Sequence, residues 1–581
     1  MFALALATYA FCSEPHRIVV DRFVPNEMAV YVANADGTGE KPLLQQPGGL
    51  DYNASYSTDG SWVVFTSERD GSADLYRVKS DGTGLERLTD NPAYDDQASF
   101  SASGRQIAFV SSREGGHANL WIMDSTTHKT KRLTKGLWGD FRPAWSPDDK
   151  WIAFSSDRNT PYRTARNRWE QQHLIDIYVI RPDGSGLRRI TNSDGACGSP
   201  KWSRDGKQLV AYCMTGQDSF DNRPSNPTGK SHLVTIDMAN GKMTDLPETP
   251  GVKMAPAFVG NDVGYVRKDA ASPGIFYASG KAGPSGIVRS PSWSADGSRV
   301  VYHKILGNLR LNGKKIWSRD PDFEFRLASE VPTFNRTGDQ YLASQNVKGF
   351  WVLNAVDAKT GQERLIYRKE RASAMGGDWS PNGDSVVFGL GIFLTSRDMG
   401  AQVAMVNADG TGFRQLTSGA NNNAFPSFSP DGKQIVYRTH GPEGMGLRVM
   451  NLADNSIRNL TSAYDNFAQW SPRGDLILFS RQVDLAFQLF TIHPDGTGLR
   501  QITNAPGNHG HAVWSPDGET ILFLSARMGF KDEVIYLDGQ QPQGEMFVMR
   551  YDGTRVRQLT DNQWEDGTPS WQPETKVQSR R

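Results

Sequence analysis

The chain alternates apolar and polar residues in short runs that are separated by tight Asp-Gly turns. The run AVWSPDGETILFLS, which begins at Ala512, is typical, and similar runs begin at Ala54 and Pro143. Alternation with a period of two predicts half-buried strands, and Asp-Gly between two such strands predicts a hairpin. A second hairpin follows, as in LYRVKSDGTGLERLT at residues 75–89. Each repeat therefore predicts four antiparallel strands.

An aromatic residue, called the anchor below, marks the end of the first strand in every repeat. The anchors are Tyr56, Phe100, Trp145, Trp202, Phe258, Trp293, Phe334, Trp379, Phe428, Trp470, Trp514 and Trp571. Their spacing averages about 47 residues, which is typical of a four-stranded propeller blade. The sequence therefore predicts an all-β protein, a β-propeller with about twelve four-stranded blade repeats.

Twelve blades exceed the usual size of one ring, so we expect two six-bladed propellers, with one large ring as the alternative. Residues 27–45 carry only the later strands of a blade, and PSWQPE at residues 569–574 carries only a first strand. We expect these N- and C-terminal segments to pair, since pairing removes two exposed strand edges. The predicted divisions are a leader at 1–15, propeller halves at 16–286 and 287–575, and a tail at 576–581.

The repeated W-S-P-D-G and D-G-T-G-x-x-x-L-T elements resemble those of the TolB-like, or PD40, family of β-propellers. The resemblance runs from about residue 25 to about residue 575, and it implies the propeller fold. It leaves function open, because one fold carries many functions. What it implies is either a module that docks peptides or envelope proteins, or an enzyme like the propeller lyases that cleave oligogalacturonate.

Residues that recur in most repeats are expected to serve the blade, whereas residues found in a few repeats are free to serve a site. Ser515 and Asp517 recur, so we interpret them as turn residues that hydrogen-bond local backbone. The arginine that ends the second strand recurs too, and we interpret it as an ion-pairing or backbone-binding residue. The segment before each anchor varies, and by the resemblance it lines the central mouth. Its polar members belong to repeats near both termini.

These variable segments supply the candidate catalytic and binding residues. Paired carboxylates can act as general acid and base, or as nucleophile, at a glycosidic bond, and an arginine can hold a substrate carboxylate through two hydrogen bonds. The candidate catalytic residues are Asp95, Asp96, Asp140, His511, Glu565 and Asp566. The candidate substrate-binding residues are Arg142, Gln97, Asn466, Trp138, Trp564 and Lys531, the last in an insertion at residues 527–545.

His509 and His511 are separated by one residue, so on a regular strand both imidazoles share a face. Two histidines with Gln97 or a carboxylate are candidate ligands of a divalent metal. The oligogalacturonate lyases use a comparable histidine and glutamine site, although the third histidine is missing from these segments. The structural alternative is that His509, which stands between glycines, is a loop histidine.

We therefore expect an exported carbohydrate-active enzyme, a glycoside hydrolase or polysaccharide lyase that acts on uronate-containing or related glycosides. The alternative is a non-catalytic module of the cell envelope that binds a protein or peptide. Carboxylates, Arg142 and a histidine around one cavity favour the enzyme, whereas a more apolar mouth favours the module. A peptidase propeller is least favoured, because no G-x-S-x-G nucleophile motif is present.

Composition and cysteines refine this picture. Lys+Arg and Asp+Glu each total 64, so the formal net charge is zero and no long-range field favours nucleic acid.

The apolar start MFALALATYAF is too short to span a bilayer and resembles part of a secretory signal, with a disordered leader as the alternative. Cys197 and Cys213 lie almost opposite each other on one predicted hairpin, which leaves a disulfide and two buried thiols both open. Export and a disulfide predict a secreted or periplasmic location.

Overall fold

The structure is a computed structural model that describes residues 15–23, 27–159, 174–221, 229–268, 271–307, 313–391, 400–484, 486–536 and 544–573. Residues 1–14 of the predicted leader and the predicted tail lie outside the described residues. The strands form twelve four-stranded blades, numbered below in the chain order of their innermost strands. Blades 1–6 close into one ring and blades 7–12 into another, because blade 6 packs on blade 1 and blade 12 on blade 7. Two six-bladed propellers are therefore confirmed.

The first propeller is described blade by blade, from the innermost strand outward. Its strands are Asp51–Tyr56, Trp62–Ser67, Asp74–Lys79 and Glu86–Arg87 (blade 1); Asp95–Phe100, Gln106–Ser111, Asn119–Asp124 and Thr130–Arg132 (blade 2); Asp140–Trp145, Ile152–Ser156, Asp176–Ile180 and Arg188–Arg189 (blade 3); Gly195–Trp202, Gln208–Thr215, His232–Asp237 and Met243–Asp245 (blade 4); Lys253–Val259, Asp262–Arg267, Gly274–Tyr277 and Ala282–Ser285 (blade 5); Val288–Trp293, Arg299–Gly307, Glu27–Asn34 and Lys41–Pro42 (blade 6).

The second propeller follows the same order. Its strands are Glu330–Phe334, Gln340–Val347, Phe350–Asp357 and Glu363–Tyr367 (blade 7); Ala374–Trp379, Ser385–Gly391, Ala401–Asn407 and Arg414–Gln415 (blade 8); Asn422–Phe428, Gln434–His440, Gly446–Asn451 and Ile457–Asn459 (blade 9); Asp465–Trp470, Ile477–Val483, Ala486–Ile492 and Arg500–Gln501 (blade 10); His509–Trp514, Thr520–Ser525, Glu545–Arg550 and Arg557–Gln558 (blade 11); Glu565–Trp571, His16–Phe23, Phe323–Leu327 and Lys315–Ile316 (blade 12). The described helices are Gly216–Asp221 and the 3-10 turn Val534–Tyr536.

Each propeller is closed by its own N-terminal strand. The C-terminal strand Glu565–Trp571 pairs antiparallel with His16–Phe23 in blade 12. The strand Glu27–Asn34 pairs instead with Arg299–Gly307 in blade 6. The predicted closure by an N-terminal and a C-terminal strand is therefore confirmed, but the N-terminal strand was misassigned. It is the short alternating run HRIVVDRF, which belonged to no recognised repeat, and not residues 27–45. The first propeller accordingly extends past residue 286, where the two halves were predicted to divide.

The repeated turn residues do what their recurrence predicted. Ser515 Oγ donates to Asp517 Oδ1 at 2.6 Å and accepts from the backbone N–H of Thr520 at 2.9 Å, which fixes the hairpin. Cys197 stands directly opposite Cys213 in blade 4, and the two form a disulfide. Of the two alternatives left open by the sequence, the structure has the cross-strand bond.

Candidate functional site

A bulge three residues before the anchor gives nearly every innermost strand a left-handed residue. The register shifts at this point in each blade, and a bulge re-aims the side chain that it carries. Non-glycine residues seldom adopt this backbone conformation. The positions with positive φ are Asn53, Gln97, Arg142, Ser199, Ala255, Ser290, Val331, Gly376, Phe425, Phe467 and His511, and Thr568 is the corresponding residue of blade 12.

In the first propeller these positions form a mainly polar ring, called the first mouth: Asn53, Gln97, Arg142, Ser199, Ala255 and Ser290. Arg142 holds the ring together, since its backbone N–H donates to Gln97 Oε1 at 2.8 Å and its Nη1 donates to Ser290 Oγ at 2.7 Å. Ser290 Oγ in turn donates to Asn53 Oδ1 at 2.7 Å. The side chains therefore converge from several blades on one point.

A segment from the other propeller fills the first mouth. It comprises residues 527–536, called the insert, which follow the second strand of blade 11. Arg142 Nε donates to Asp532 Oδ1 at 2.9 Å, and Gln97 Nε2 donates to the backbone oxygen of Lys531 at 3.0 Å. Lys531, Asp532 and Glu533 are at most 1% exposed. The predicted residues Arg142, Gln97 and Lys531 thus come together, but around a part of the chain itself.

Asp95 and Asp140, two of the candidate catalytic carboxylates, lie in buried ion pairs within their own blades. Asp95 meets Arg113 at 2.6 Å, and Asp140 meets Arg158 at 2.6 Å. Asp51 pairs with Arg69 in the same register of blade 1, and in blade 10 Asp465 holds the position of these aspartates and meets Arg481 of the second strand at 2.7 Å. Recurrence in both propellers is the mark of a structural contact. A catalytic role for Asp95 and Asp140 stays a prediction that this geometry does not favour.

The remaining carboxylate candidates are also buried. Asp96 accepts from Asn53 Nδ2 at 2.8 Å and from Thr66 Oγ1 at 2.5 Å, beneath the first mouth. Asp566 accepts from Arg22 Nε at 2.6 Å in blade 12, and the adjacent Glu565 is buried. These groups belong to different propellers, so the predicted common arc of carboxylates is not formed.

The three remaining binding candidates all have partners within the protein. Trp138 lies under the guanidinium of Arg158, 5.5 Å from its ring centroid. Trp564 is buried and donates from Nε1 to Glu68 Oε1 at 2.6 Å. Asn466 is buried and accepts from the backbone N–H of the next residue at 3.1 Å. Roles for these residues in substrate binding stay predictions.

His509 and His511 do not face one metal ion. His509 is fully buried, its Nε2 donates to the backbone oxygen of Ala505 at 3.0 Å, and it occupies the register that Asp465 has in blade 10. His511 lies on the bulge and turns to the channel, where Nδ1 bonds Thr568 Oγ1 at 2.7 Å. The bulge breaks the strand alternation on which the metal prediction depended. Within the described ranges, no three His, Cys, Asp or Glu side chains are grouped to hold a metal.

Burial lowers the pKa of His509 to about 4, so the folded protein keeps this imidazole neutral. An unfolded histidine titrates near pH 6.5, so between about pH 6.5 and 4 the unfolded chain binds the extra proton and stability falls as pH falls. We expect about 3 kcal/mol of acid-dependent loss from this group. His509→Gln should flatten the dependence of the unfolding midpoint between pH 7 and 4.5, and His493→Gln, at an exposed histidine, is the matched control. Equal slopes in all three proteins contradict this assignment.

In the second propeller the same positions form an open and mainly apolar ring, called the second mouth: Val331, Gly376, Phe425, Phe467, His511 and Thr568. All six line one cavity of about 350 Å³ that continues down to the aromatic anchors. The Phe467 ring lies 4.3 Å from that of Phe425 and 4.3 Å from that of His511, centroid to centroid. Three neighbouring blades therefore present a continuous aromatic arc to the channel.

Charge is sparse along this channel. Its lining includes Asp378 and Arg336 as the charged carboxylate and guanidinium groups. Asp378 Oδ2 accepts from the backbone N–H of Phe428 at 2.8 Å, and burial raises its pKa to about 6. The remaining polar side-chain groups are hydroxyls, an amide, the indole N–H groups of the tryptophan anchors and the imidazole of His511. Such a surface matches ligands with apolar side chains.

Sequence reasoning singled out polar residues and so missed Phe425, Phe467 and Val331, although all three lie in the segments that it identified. It also missed Ser199, which belongs to the first mouth, and Tyr536, which belongs to the insert and contacts that mouth. The available signal was position: the residue three before each anchor faces the channel, whatever its polarity. Recognition of that register required knowledge of the bulge.

Comparison with known proteins gives three results. A profile of the PD40 family, described as TolB beta propeller domain, matches residues 6–117 and 282–498. The Protein TolB homolog of Chlorobium luteolum is 30% identical over 158 residues, which are 26% of this chain and 35% of that protein's length. An uncharacterized protein of Agrobacterium fabrum is 26% identical over 256 residues, 41% of this chain and 84% of that protein.

Among solved structures, TolB from Acinetobacter baumannii aligns with a TM-score of 0.34 and 13% identity, covering 59% of this chain and 79% of that one. Among the described residues, none of the helices has the length and apolar character that crossing a bilayer requires.

Proposed function

The chain belongs to the PD40 family of TolB β-propeller domains, and on that premise we propose that it is a binding module that receives a protein segment in its second propeller. The observation that carries the proposal is the second mouth, an open channel of about 350 Å³ with an arc of Phe425, Phe467 and His511 at its rim. Pockets of this size accommodate a few side chains, and aromatic rims supply contact area at low entropic cost.

The chemistry of the channel favours a peptide over a glycan. Aromatic and proline side chains contact apolar side chains well, and the hydroxyls of Thr333, Ser427 and Ser570 can serve a peptide backbone. A carbohydrate-active site at a mouth needs accessible carboxylates beside its substrate. The predicted carboxylates are buried in internal contacts, and Arg142 binds the insert. Hydrolase or lyase activity on uronate-containing glycosides stays the alternative prediction.

The proposed location is secreted or periplasmic. Its support is the disulfide between Cys197 and Cys213, because such bonds persist in oxidising compartments.

Peptide selection tests the proposed function directly. Peptides selected on the wild-type protein from a displayed random library should lose at least about 30-fold in affinity to Phe467→Ser, because a buried aromatic contact at an interface is worth about 2 kcal/mol or more. Phe413→Ser is the matched control, since Phe413 is 44% exposed and lies outside the channel. Titration calorimetry measures both. Equal affinity for the two variants places the ligand elsewhere and rejects the channel as the site.

A panel of uronate-bearing glycosides, with and without EDTA, tests the enzyme alternative. We expect no turnover by the wild-type protein. Turnover that Asp96→Ala abolishes, in a variant that stays folded by circular dichroism, establishes the enzyme instead.

A further inference from the structure

The insert is a feature of one blade. In blade 10 the second strand ends at Val483 and the third begins at Ala486, whereas in blade 11 the corresponding strands end at Ser525 and begin at Glu545. Both propellers are closed by strand pairing that does not involve the insert. The insert is therefore an addition to a complete fold and not a part of ring closure.

Residues of the first mouth contact several side chains of the insert one by one. The Arg142 guanidinium lies 3.4 Å from the ring centroid of Tyr536, in addition to its two contacts with the Asp532 carboxylate. The Glu533 carboxylate accepts from the backbone N–H and from the hydroxyl of Ser199, both at 2.7 Å. Ser199 Oγ also lies 2.8 Å from the Tyr536 hydroxyl. Two carboxylates and one tyrosine are thus each matched by a mouth residue.

Backbone and apolar contacts complete the recognition. Lys268 Nζ donates to the backbone oxygen of Ile535 at 2.9 Å. Val534 and Ile535 pack into the apolar core of the first propeller. Gly198 leaves room for the Glu533 carboxyl group, since a Cβ at that glycine would stand 2.7 Å from Glu533 Cδ. Side chains at successive residues of one segment, each held by its own partners, are what a peptide-recognition site provides.

The buried carboxylate contacts of the insert favour selective binding more than they stabilise the packing of the two propellers. Burial raises the pKa of Asp532 to about 7, although Arg142 opposes the rise. Buried ion pairs often contribute less stability than apolar residues of the same size, because desolvation offsets their attraction. A segment that served only to fasten the two propellers would be held better by apolar side chains. Burying two adjacent carboxylates instead makes the first mouth selective for an acidic segment.

We propose that the first mouth is a peptide-recognition site for segments with two adjacent carboxylates, two apolar residues and a tyrosine, which the chain fills in cis with residues 532–536. A partner protein that presents a segment of the same chemistry competes with the insert for this site. Since the insert is tethered, its effective concentration is about millimolar, so an external segment needs higher affinity or high local concentration to replace it. The site is separate from the second mouth and does not depend on its proposed ligand.

Binding in trans tests the proposal. An open variant carries Gly and Ser residues in place of residues 531–536, and the probe is a fluorescent peptide with the sequence FKDEVIY, residues 530–536. We expect the open variant to bind the peptide and the wild-type protein to bind it at least about tenfold more weakly. A peptide with Asp532→Asn and Glu533→Gln should bind the open variant at least about tenfold more weakly than the acidic peptide. Absence of binding to a folded open variant, or equal binding of both peptides, overturns the proposal.

A second experiment keeps the whole chain intact and decides the question if the open variant does not fold. Gly198→Ala places a methyl group 2.7 Å from Glu533 Cδ and 2.7 Å from the Tyr212 hydroxyl. Gly510→Ala is at the same register of blade 11, where the added methyl group meets Ser480 Oγ at an ordinary 3.8 Å. Hydrogen exchange of residues 530–536 should accelerate at least about tenfold in Gly198→Ala and stay unchanged in Gly510→Ala. Free acidic peptide in excess should accelerate the same exchange in the wild-type protein. Exchange that neither Gly198→Ala nor the peptide alters overturns the proposal.

Discussion

A chain that lacks residues 1–23 is expected to lose the folded second propeller while its first propeller still folds. The strand His16–Phe23 lies between Glu565–Trp571 and Phe323–Leu327, and it pairs with both. Ile18, Val19 and Val20 are buried. Burying side chains of this size stabilises a fold by about 1.5–3 kcal/mol each, so the three contribute roughly 5–9 kcal/mol.

That contribution approaches the whole stability of an ordinary domain, which is about 5–15 kcal/mol. The first propeller keeps its closing strand Glu27–Asn34 in the truncated chain. Limited proteolysis with mass spectrometry should therefore find residues 315–571 cleaved and residues 27–307 protected. A chain that lacks only residues 1–14 is the control and should resist cleavage throughout. Protection of both propellers in the longer truncation contradicts the role of the closing strand.

Asp95→Ala is expected to destabilise the first propeller by about 3–5 kcal/mol, the cost of leaving one partner of a buried ion pair alone. Asp95 is fully buried, and its pair with Arg113 at 2.6 Å lies inside blade 2. Arg113 also lies over the rings of Phe109 and Trp121. Denaturant titration followed by circular dichroism measures the loss as a lower unfolding midpoint.

Asp465→Ala is the matched control for the structural role. Asp465 holds in blade 10 the position that Asp95 holds in blade 2, it pairs with Arg481 of the second strand, and it was not among the catalytic candidates. A similar loss of stability in the second propeller is expected, and the double substitution Asp95→Leu with Arg113→Met should recover most of the loss, since it leaves no charge unpaired. An undiminished midpoint for Asp95→Ala, in contrast to a large loss for Asp465→Ala, removes the structural explanation and restores Asp95 as a catalytic candidate.

Much of the fold could be predicted because its determinants are local. Ser515, Asp517 and the glycine after them specify a hairpin within a few residues, and the anchors repeat at a spacing that only a propeller blade explains. The opposition of Cys197 and Cys213 also followed from hairpin register, and the structure has that pairing. The identity of the closing strand did not follow, since His16–Phe23 and Glu565–Trp571 pair across almost the entire chain.

The candidate site was predicted less well, for two reasons. The bulge before each anchor reverses which side chain faces the channel, so His509 enters the blade interior while His511 faces the second mouth. Polarity was also a misleading guide. The polar residue Arg142 already binds Asp532 of the insert, whereas the apolar residues Phe425 and Phe467 line the open cavity.

The sequence by itself determined the repeat, the four-stranded blade, the number of blades and the turn chemistry, because each depends on residues that are neighbours along the chain. Only the tertiary structure decided which strands close each ring, which side chain of each blade reaches the axis, and which mouth stays open. These depend on contacts between distant segments, such as that of Arg142 with Asp532, and no local pattern encodes a partner hundreds of residues away. The insert is the clearest example of such a contact, because a loop of blade 11 occupies the mouth of the first propeller.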